Sequence, residues 1–157
     1  MDLVTIEEIR QAKYRYLRCL DLKLWDEFAD AFTEDAVAEY DTPVLGEPLR
    51  LAGREAIVAY MRENLGPQTI TSHLVSHPEI EVDGDEARGS WCLEDTVIVK
   101  EHRLLIRGAA YYRDTYRRCP DGRWRVGSTG HRRTYEYTVS FDDLPSLRLT
   151  ADPWNTR

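Results

Sequence analysis

The sequence predicts an α+β fold in which helices pack on one face of an antiparallel sheet. Its 157 residues fit one domain that is large enough to bury a core. Apolar residues recur at helical spacing in the N-terminal part, whereas beyond Thr69 apolar and polar residues alternate as they do in strands. A chain with its helices first and a run of long strands afterwards is typical of the α+β class.

Three helical segments are expected before the sheet. The first carries apolar residues at helical spacing over residues 6–24, with a break at "DLK". The stretch "WDEFADAFTEDA" (25–36) predicts a second helical segment, and "VAEYD" (37–41) is compatible with a short strand. The stretch "GREAIVAYMRENLG" (53–66) predicts a third helix, which the glycine and proline at its end stop.

Four long strands are expected after the helices. They are predicted at residues 69–82, 86–100, 103–119 and 122–139. The sequences "DGDE" and "CPDG" contain the glycine, proline and aspartate typical of turns. They mark the turn between the first two of these strands and the turn between the last two. The tail from Phe141 contains prolines and has no period, so we expect it to wrap the surface or a neighbouring molecule.

Composition and charge exclude several classes of protein. The net charge of −7 argues against nucleic acid or an anionic membrane as the main partner. No apolar run approaches the length of a membrane span, and the N-terminus lacks the regions of a signal peptide. Cys19, Cys92 and Cys119 are scattered and odd in number, which predicts reduced thiols and a cytoplasmic location.

Two aspartates stand where the pattern predicts an apolar core. Asp21 lies on one shoulder of the apolar stripe of the first helix, and Tyr16 lies on the other. Asp95 follows Trp91 and Leu93 on the apolar face of a strand. Taken singly, Asp21 is compatible with a helix-end residue, and Asp95 with a strand bend that reaches solvent or an arginine. Because carboxylates are almost never buried unless paired, the two together favour a polar pocket between the helices and the sheet.

The four histidines do not predict a metal site. His73 and His77 lie four residues apart in a strand, which separates them by about 13 Å. His102 is expected in an exposed turn, and His131 lies near the last strand. With no Cys/His cluster elsewhere, we expect no bound zinc. A lone strand histidine is more often structural than catalytic, so His73 becomes a candidate base only through a carboxylate partner.

Several catalytic signatures are absent from the sequence. There is no Walker loop, no GxGxxG and no GxSxG, and "GSTG" at 127–130 does not match the nucleophile elbow. Nucleotide binding and covalent serine chemistry both lose support. Acid–base chemistry without a cofactor is what the sequence favours.

Three stretches of the chain resemble a known family. "IEEIRQAKYRYLRCLDLKLWDEFADAFTEDAVAEYD", "TSHLVSHPEIEVDGDEARGSWCLED" and "YYRDTYRRCPDGRWRVGSTGHRRTYEY" resemble the SnoaL-like branch of the nuclear transport factor 2-like superfamily. The resemblance covers about residues 5–138 of a single domain spanning 1–157, with a tail at 139–157. It is strongest to the subgroup of bile-acid 7α-dehydratase and more distant to hexachlorocyclohexane dehydrochlorinase and scytalone dehydratase.

This resemblance implies a fold and a site. The sheet would be curved, with helices closing a conical pocket, no metal or other cofactor, and frequent trimers or dimers. By motif, the residues that would line the pocket are Tyr16, Asp21, His73, Asp95 and Arg133. In that arrangement Asp21 is buried because it meets His73.

The last strand leaves one ambiguity. Val126 places even-numbered residues on the apolar face, which would point Arg132 inward rather than Arg133. A bulge at Gly127 or Gly130 would reverse the alternation, since one extra residue moves every later side chain to the other face. We assign Arg133 to the pocket. A surface salt bridge is the alternative for either arginine.

These residues favour a cofactor-independent lyase, a dehydratase acting on a hydrophobic, ring-containing or steroid-like molecule. His73 would take a proton from carbon, and Asp21 would fix its tautomer and stabilise the imidazolium. Tyr16 would donate a hydrogen bond to a carbonyl or a leaving hydroxyl, Asp95 would assist orientation, and Arg133 would meet developing negative charge or a substrate carboxylate. The alternatives are a polyketide cyclase, an isomerase, or a module that binds a small molecule without chemistry.

The strand pattern also predicts self-association. Cys92, Ile98 and Ala110 are expected on the face away from the pocket, and the tail ends near Trp154. A small domain with both sheet faces partly apolar usually covers one of them by association. We therefore expect a homo-oligomer, a trimer before a dimer.

Overall fold

Three helices pack against a curved six-stranded sheet, which confirms the predicted α+β class. The structure is a computed structural model and describes residues 2–155. The helices are α1 (Leu3–Asp21), α2 (Trp25–Asp30) and α3 (Arg54–Asn64). Asp2 caps the start of α1, where its carboxylate accepts hydrogen bonds from the backbone amides of Val4 and Thr5.

The sheet contains two short strands and four long ones. The strands are β1 (Phe32–Tyr40), β2 (Leu49–Ala52), β3 (Thr69–Asp83), β4 (Glu86–Val99), β5 (Leu104–Arg118) and β6 (Trp124–Ser140). Their order is β2-β1-β6-β5-β4-β3, and every neighbouring pair is antiparallel except β1 with β6, which is parallel. The sheet is therefore mixed, and β3 lies at one edge.

The second predicted helix is shorter in the structure. It ends at Asp30, and residues 32–36 belong to β1 instead. The reason is a long-range one, because Phe32 lies opposite Val126 of β6 and Val37 opposite Ser128. Pairing with a distant strand overrides the helix-like spacing of the segment. The four-residue strand β2 was not predicted.

The inner face of the sheet and the facing sides of the helices form one core. Its largest fully buried side chains include those of Trp91, Tyr16, Tyr112 and Phe28. The predicted alternation of β4 is confirmed, because Trp91 and Leu93 are buried on this face. Polar side chains within this core are therefore few and informative.

A bulge at Gly127 sets the direction of the side chains on β6. Thr115 lies opposite Ser128 and Tyr116 lies opposite Val126, which leaves Gly127 as an extra residue. Before the bulge even-numbered residues face the core, and from Thr129 to Arg133 odd-numbered residues do. A second extra residue, Thr134, then returns the even-numbered Glu136 to this face. Gly127 is one of the two positions proposed from the sequence, and its bulge turns Arg133 inward while Arg132 stays exposed.

The outer face of the sheet differs in part from expectation. Cys92 and Ile98 are half-buried on this face, as predicted, but Ala110 is fully buried on the inner face opposite Leu93. The prediction for Ala110 was wrong because its partner in β4, rather than its own neighbours, fixes its side of the sheet. The outer face instead exposes Leu74, Tyr111, Tyr135 and Tyr137.

The C-terminal tail folds back on the turn that follows α1. The Asp152 carboxylate lies 2.6 Å from the Lys100 ammonium, and the Trp154 ring lies 4.6 Å from the Lys23 ammonium. Lys23 also donates to the carbonyl oxygens of Leu65 and Thr69, each at 2.7 Å.

None of the helices within residues 2–155 has the length and apolarity needed to cross a membrane.

Candidate active site

The end of α1 and the start of β3 bring together a carboxylate and an imidazole. The Asp21 Oδ1 atom lies 2.6 Å from Nδ1 of His73, so the contact predicted from the sequence is present. Asp21 also accepts a hydrogen bond from the His73 backbone amide at 2.9 Å and from the Thr71 hydroxyl at 2.8 Å. Three hydrogen bonds therefore fix this carboxylate, although its side chain keeps 20% of its surface exposed.

The hydrogen bond between the two residues decides how the ring can act. With the proton on Nδ1 shared with the carboxylate, the lone pair is on Nε2. The His73 side chain is 11% exposed, so the ring is held firmly but not sealed from a ligand. Such a histidine can accept a proton at Nε2 while the carboxylate stabilises the resulting imidazolium.

A second charged pair lies deeper on the inner face of the sheet. The Arg133 guanidinium binds the Asp95 carboxylate with two nitrogens, and its Nη2 atom lies 3.0 Å from Oδ2 of Asp95. Each side chain is 5% exposed. Asp95 is thus the strand aspartate that reaches an arginine, one of the alternatives left open by the sequence.

A glycine on the intervening strand makes this pair possible. Arg133 is on β6 and Asp95 is on β4, so the guanidinium must cross β5. It crosses over Gly108, where a Cβ atom would lie 2.9 Å from the guanidinium and 2.6 Å from the carbonyl oxygen of Tyr135. A side chain at Gly108 would displace Arg133, so this glycine is a site-forming residue that the sequence reasoning missed.

Arg133 is bound by more than one carboxylate. Its Nε donates to Glu136 at 3.2 Å, and its backbone amide lies 3.4 Å from the Asp41 carboxylate. Burial lowers the pKa of Arg133 and the hydrogen bonds that it donates to Asp95 raise it, with a net increase, so the group stays charged. Its single positive charge is therefore more than offset by the two carboxylates of Asp95 and Glu136.

The two pairs lie beside one another on the sheet. His73 of β3 is directly opposite Asp95 of β4, and Asp95 is opposite Gly108 of β5. Opposite residues in antiparallel strands have Cβ atoms about 5 Å apart. The structure therefore brings four of the five predicted residues, namely Asp21, His73, Asp95 and Arg133, to one region of the sheet.

Tyr16 occupies a different position from these four. Its side chain is fully buried, and its hydroxyl lies 2.8 Å from the hydroxyl of Tyr40. Its ring packs against Phe28, Phe32 and Tyr112 at centroid distances of 5.6, 5.2 and 6.4 Å. Burial raises the pKa of Tyr16 well above its ordinary value, so the phenol keeps its proton. Within residues 2–155 it forms no hydrogen bond with the other four.

A buried ion pair below the aromatic rings was not predicted. The Lys13 ammonium lies 2.8 Å from Asp114 Oδ2, and both side chains are completely buried. Asp114 also accepts from the hydroxyls of Tyr116 and Thr129, each at 2.7 Å. Burial lowers the pKa of Lys13 to about 8, against the opposing effect of Asp114. The ammonium also lies 3.3 Å from the centre of the Tyr112 ring.

His131 is a further polar residue of the inner face. Its ring lies 5.6 Å from that of Tyr40 and 5.3 Å from that of Tyr112. Its Nδ1 is shut off from solvent and has no hydrogen-bond partner among the described residues. Burial, with Arg133 next in size, lowers the pKa of His131 to about 4, so the ring is neutral at pH 7.

A groove of about 460 Å³ borders the Asp21–His73 pair. It lies between the C-terminal half of α1 and the edge strand β3. Its walls are mostly apolar, and the lining residues are Tyr14, Leu17, Arg18, Asp21, Leu22, His73, Leu74 and Val75. Over the part of the chain that the structure describes, no group of three or more potential metal ligands comes together.

Comparison with known proteins places this geometry in context. A family model described as SnoaL-like domain matches residues 1–129. A Novosphingobium aromaticivorans protein provisionally named scytalone dehydratase is 25% identical, with a TM-score of 0.76 over 86% of this chain and 87% of that one. A Mycobacterium tuberculosis protein of unknown function is also 25% identical, with a TM-score of 0.71 over 97% and 82%.

A third structure supports the fold alone. The hexachlorocyclohexane dehydrochlorinase of LinA type 3 from Novosphingobium barchaimii has a TM-score of 0.74 at 19% identity. The alignment covers 95% of this chain and 96% of that one. The helices, the mixed sheet and their arrangement are therefore shared across nearly the whole chain.

Proposed function

The chain belongs to the SnoaL-like domain family, and from that membership we propose that it is a cofactor-independent lyase of the dehydratase type. Its substrate would be a hydrophobic small molecule that contains a ring. The observation that carries the proposal is the 2.6 Å hydrogen bond that Nδ1 of His73 donates to Asp21 beside a mostly apolar groove. One of the similar structures, 25% identical to this chain, provisionally bears the name of a dehydratase, which is a lyase.

The chemistry follows from the state of the His73 ring. Nε2 takes a proton from a carbon next to a carbonyl group, and the electron pair of the broken C–H bond forms an enolate. The enolate then forms a C=C bond as the C–O bond at the next carbon breaks, and the departing hydroxide takes up the proton as water. Asp21 holds the ring in the required tautomer and balances the charge of the imidazolium.

The other predicted residues would shape the site rather than carry the proton. Asp95 and Arg133 form a balanced pair beside His73, which would orient the substrate without adding net charge. Tyr16 would support the site through its bond with Tyr40, whose hydroxyl it contacts at 2.8 Å. The finer resemblance, to the bile-acid 7α-dehydratase subgroup, favours a steroid-like substrate.

Assembly and location belong to the same proposal. The exposed Leu74, Tyr111, Tyr135 and Tyr137 on the outer sheet face favour a homo-oligomer, with a trimer ahead of a dimer. The three cysteines are unpaired in the structure, which favours a cytoplasmic location. Light scattering at micromolar concentration tests the first point, because a particle of only 18.3 kDa would contradict association.

The reaction is tested with ring-containing β-hydroxy ketones in deuterated water. Mass spectrometry follows exchange at the carbon next to the carbonyl, and ultraviolet absorbance follows the conjugated enone that water loss creates. We expect both signals with the unaltered chain and neither with His73→Ala. Exchange without water loss would instead support an isomerase or a polyketide cyclase. Binding with no exchange would support a non-catalytic binding module.

A further inference from the structure

His131 faces the inner side of the sheet, two residues before Arg133. Residues two apart in a strand share a face, and the bulge at Gly127 makes that face the inner one. The rings of Tyr40 and Tyr112 hold His131 from the neighbouring strands β1 and β5, at 5.6 and 5.3 Å. The imidazole is thus fixed in place by packing, and no hydrogen bond within residues 2–155 uses it.

The two ring nitrogens of His131 have different surroundings. Nδ1 is closed to solvent and has no hydrogen-bond partner among the described residues. Nε2 is not closed off in this way, and the residue as a whole is only half-buried. An orphaned buried N–H is rarer than an orphaned acceptor, so the proton belongs on Nε2. Because the pKa of His131 is lowered to about 4, the ring presents a neutral N–H at Nε2 at pH 7.

The nearby cation is less suited to receive a substrate oxygen. Arg133 already gives two nitrogens to Asp95 and its Nε to Glu136. Two of its five N–H hydrogens remain, but its positive charge is already shared by two carboxylates, which weakens its attraction for a carbonyl oxygen. A neutral donor with no protein partner gains a full hydrogen bond when it meets that oxygen.

We propose that Nε2–H of His131 is the hydrogen-bond donor that receives the carbonyl oxygen of a neutral ring ketone on the inner face of the sheet, beside Arg133. The inference rests on the proposed function, in which a carbonyl group must be polarised before His73 removes a proton. It assigns to His131 the hydrogen bond to a carbonyl that the sequence suggested for Tyr16, and with it the developing negative charge that the sequence suggested Arg133 would meet. It also names the substrate class, because a substrate carboxylate would meet a neutral donor and an arginine whose charge Asp95 and Glu136 already offset.

A matched pair of probes isolates this hydrogen bond. The ring ketone 1-tetralone carries an acceptor oxygen and no donor, and tetralin has the same fused-ring skeleton without the oxygen. Isothermal titration of the full chain gives the ratio of their dissociation constants. We expect 1-tetralone to bind more tightly, and His131→Phe to lower that preference about tenfold, which is the loss of one neutral hydrogen bond.

Two further variants control the measurement. Phenylalanine keeps the contacts with Tyr40 and Tyr112 and removes the unpartnered Nδ1, so the midpoint of thermal unfolding should not fall. His131→Gln places an amide donor near the position of Nε2 and should restore part of the preference. His102→Ala, in an exposed turn, should leave the preference unchanged.

The outcomes separate this inference from the lyase proposal. A preference that survives in His131→Phe, or no binding of 1-tetralone at millimolar concentration, would overturn the assignment. Nitrogen NMR of the imidazole at pH 7 gives an independent test, since a proton found on Nδ1 would also overturn it. If the preference depends on His131 but no β-hydroxy ketone loses water, the assignment stands and the lyase proposal fails. If water is lost and the preference does not depend on His131, the reverse holds.

Discussion

Helix α1 carries two charged side chains that face the sheet, and they differ in how far they and their partners are buried. Lys13 and its partner Asp114 are completely buried, and the carboxylate is closed by Tyr116 and Thr129. Asp21, two turns later, pairs with His73, but both side chains keep some exposed surface beside a groove. The first pair is enclosed in the core, and the second borders a space that a ligand can enter.

This difference separates a structural polar group from a candidate functional one. A buried ion pair must recover a desolvation cost of several kcal/mol per ion, so removing one partner is strongly destabilising. The Asp21–His73 pair leaves Nε2 of the ring for other partners, which a purely structural pair does not need to do. Losing Lys13 should therefore affect mainly stability, and losing His73 mainly activity.

The largest expected effect is on turnover in the Asp21–His73 pair. Removing the base with His73→Ala should lower turnover of a β-hydroxy ketone about a thousandfold or more, equal to about 4 kcal/mol. Asp21→Asn should also cut turnover heavily, because the amide is uncharged and its NH2 group must face a donor, either the backbone amide of His73 or the His73 ring. Steady-state kinetics measure both, and circular dichroism should show an unchanged fold.

A matched acid gives the control for that prediction. Asp142 pairs with Arg103 in an exposed bridge at 3.1 Å. Asp142→Asn makes the same chemical change away from the site and should leave turnover intact. An active His73→Ala protein would end the case for His73 as the base.

The next effect is on stability in the buried pair. Lys13→Met shortens the side chain by one atom and leaves Asp114 buried without its cation, which should lower the free energy of unfolding by about 3 kcal/mol. Urea denaturation measures the change. The comparison variant is Arg103→Met, because its exposed ion pair with Asp142 should contribute less than about 1 kcal/mol. Equal losses in the two variants would show that Lys13–Asp114 is not a structural pair.

The sequence predicted much of the fold because local signals carry it. The bounds of β3, β4, β5 and β6 agree with the alternation of apolar residues to within two residues at each end. Residues 32–36 were misassigned because their strand forms by pairing with β6, almost a hundred residues away. The pairing of strands that are far apart in the sequence cannot be predicted from the residues of either strand alone.

The candidate site was only partly predictable for a related reason. Asp21 and Asp95 were found because each interrupts an apolar pattern. The same rule would have found Asp114, which lies between Tyr112 and Tyr116 on the apolar face of β5. His131 gives no such signal, because its burial comes from rings on two other strands and from a bulge several residues earlier.

Acid should expose a smaller contribution from His131. The pKa of His131 in the folded protein is about 4, against an ordinary 6.5. Between these two pH values His131 is protonated in the unfolded chain and neutral in the folded one. Stability linked to this group is therefore fully present above pH 6.5 and is lost as the pH falls toward 4. Between pH 7 and 4.5, the unaltered chain should lose about 2 kcal/mol more stability than His131→Phe. Parallel losses in urea titrations at the two pH values would contradict a neutral, buried ring.

The smallest effect concerns Tyr16, which lies between the two regions compared above. Its hydroxyl contacts Tyr40, its ring contacts Tyr112, and the Lys13 ammonium lies 4.7 Å from its centre. Because the side chain is fully buried, it can act on a substrate only through Tyr40. Tyr16→Phe removes one neutral hydrogen bond, so turnover should fall less than tenfold and stability by about 1 kcal/mol.

Tyr40→Phe is the matched change, because it breaks the same bond from the other side. If Tyr16 acts through Tyr40, the second variant should lower turnover at least as much as the first. A clearly larger loss in Tyr16→Phe would instead require that its hydroxyl leaves Tyr40 and reaches the substrate during the reaction. That result would move Tyr16 from the closed region of the core, where Lys13 lies, to the open region of Asp21 and His73.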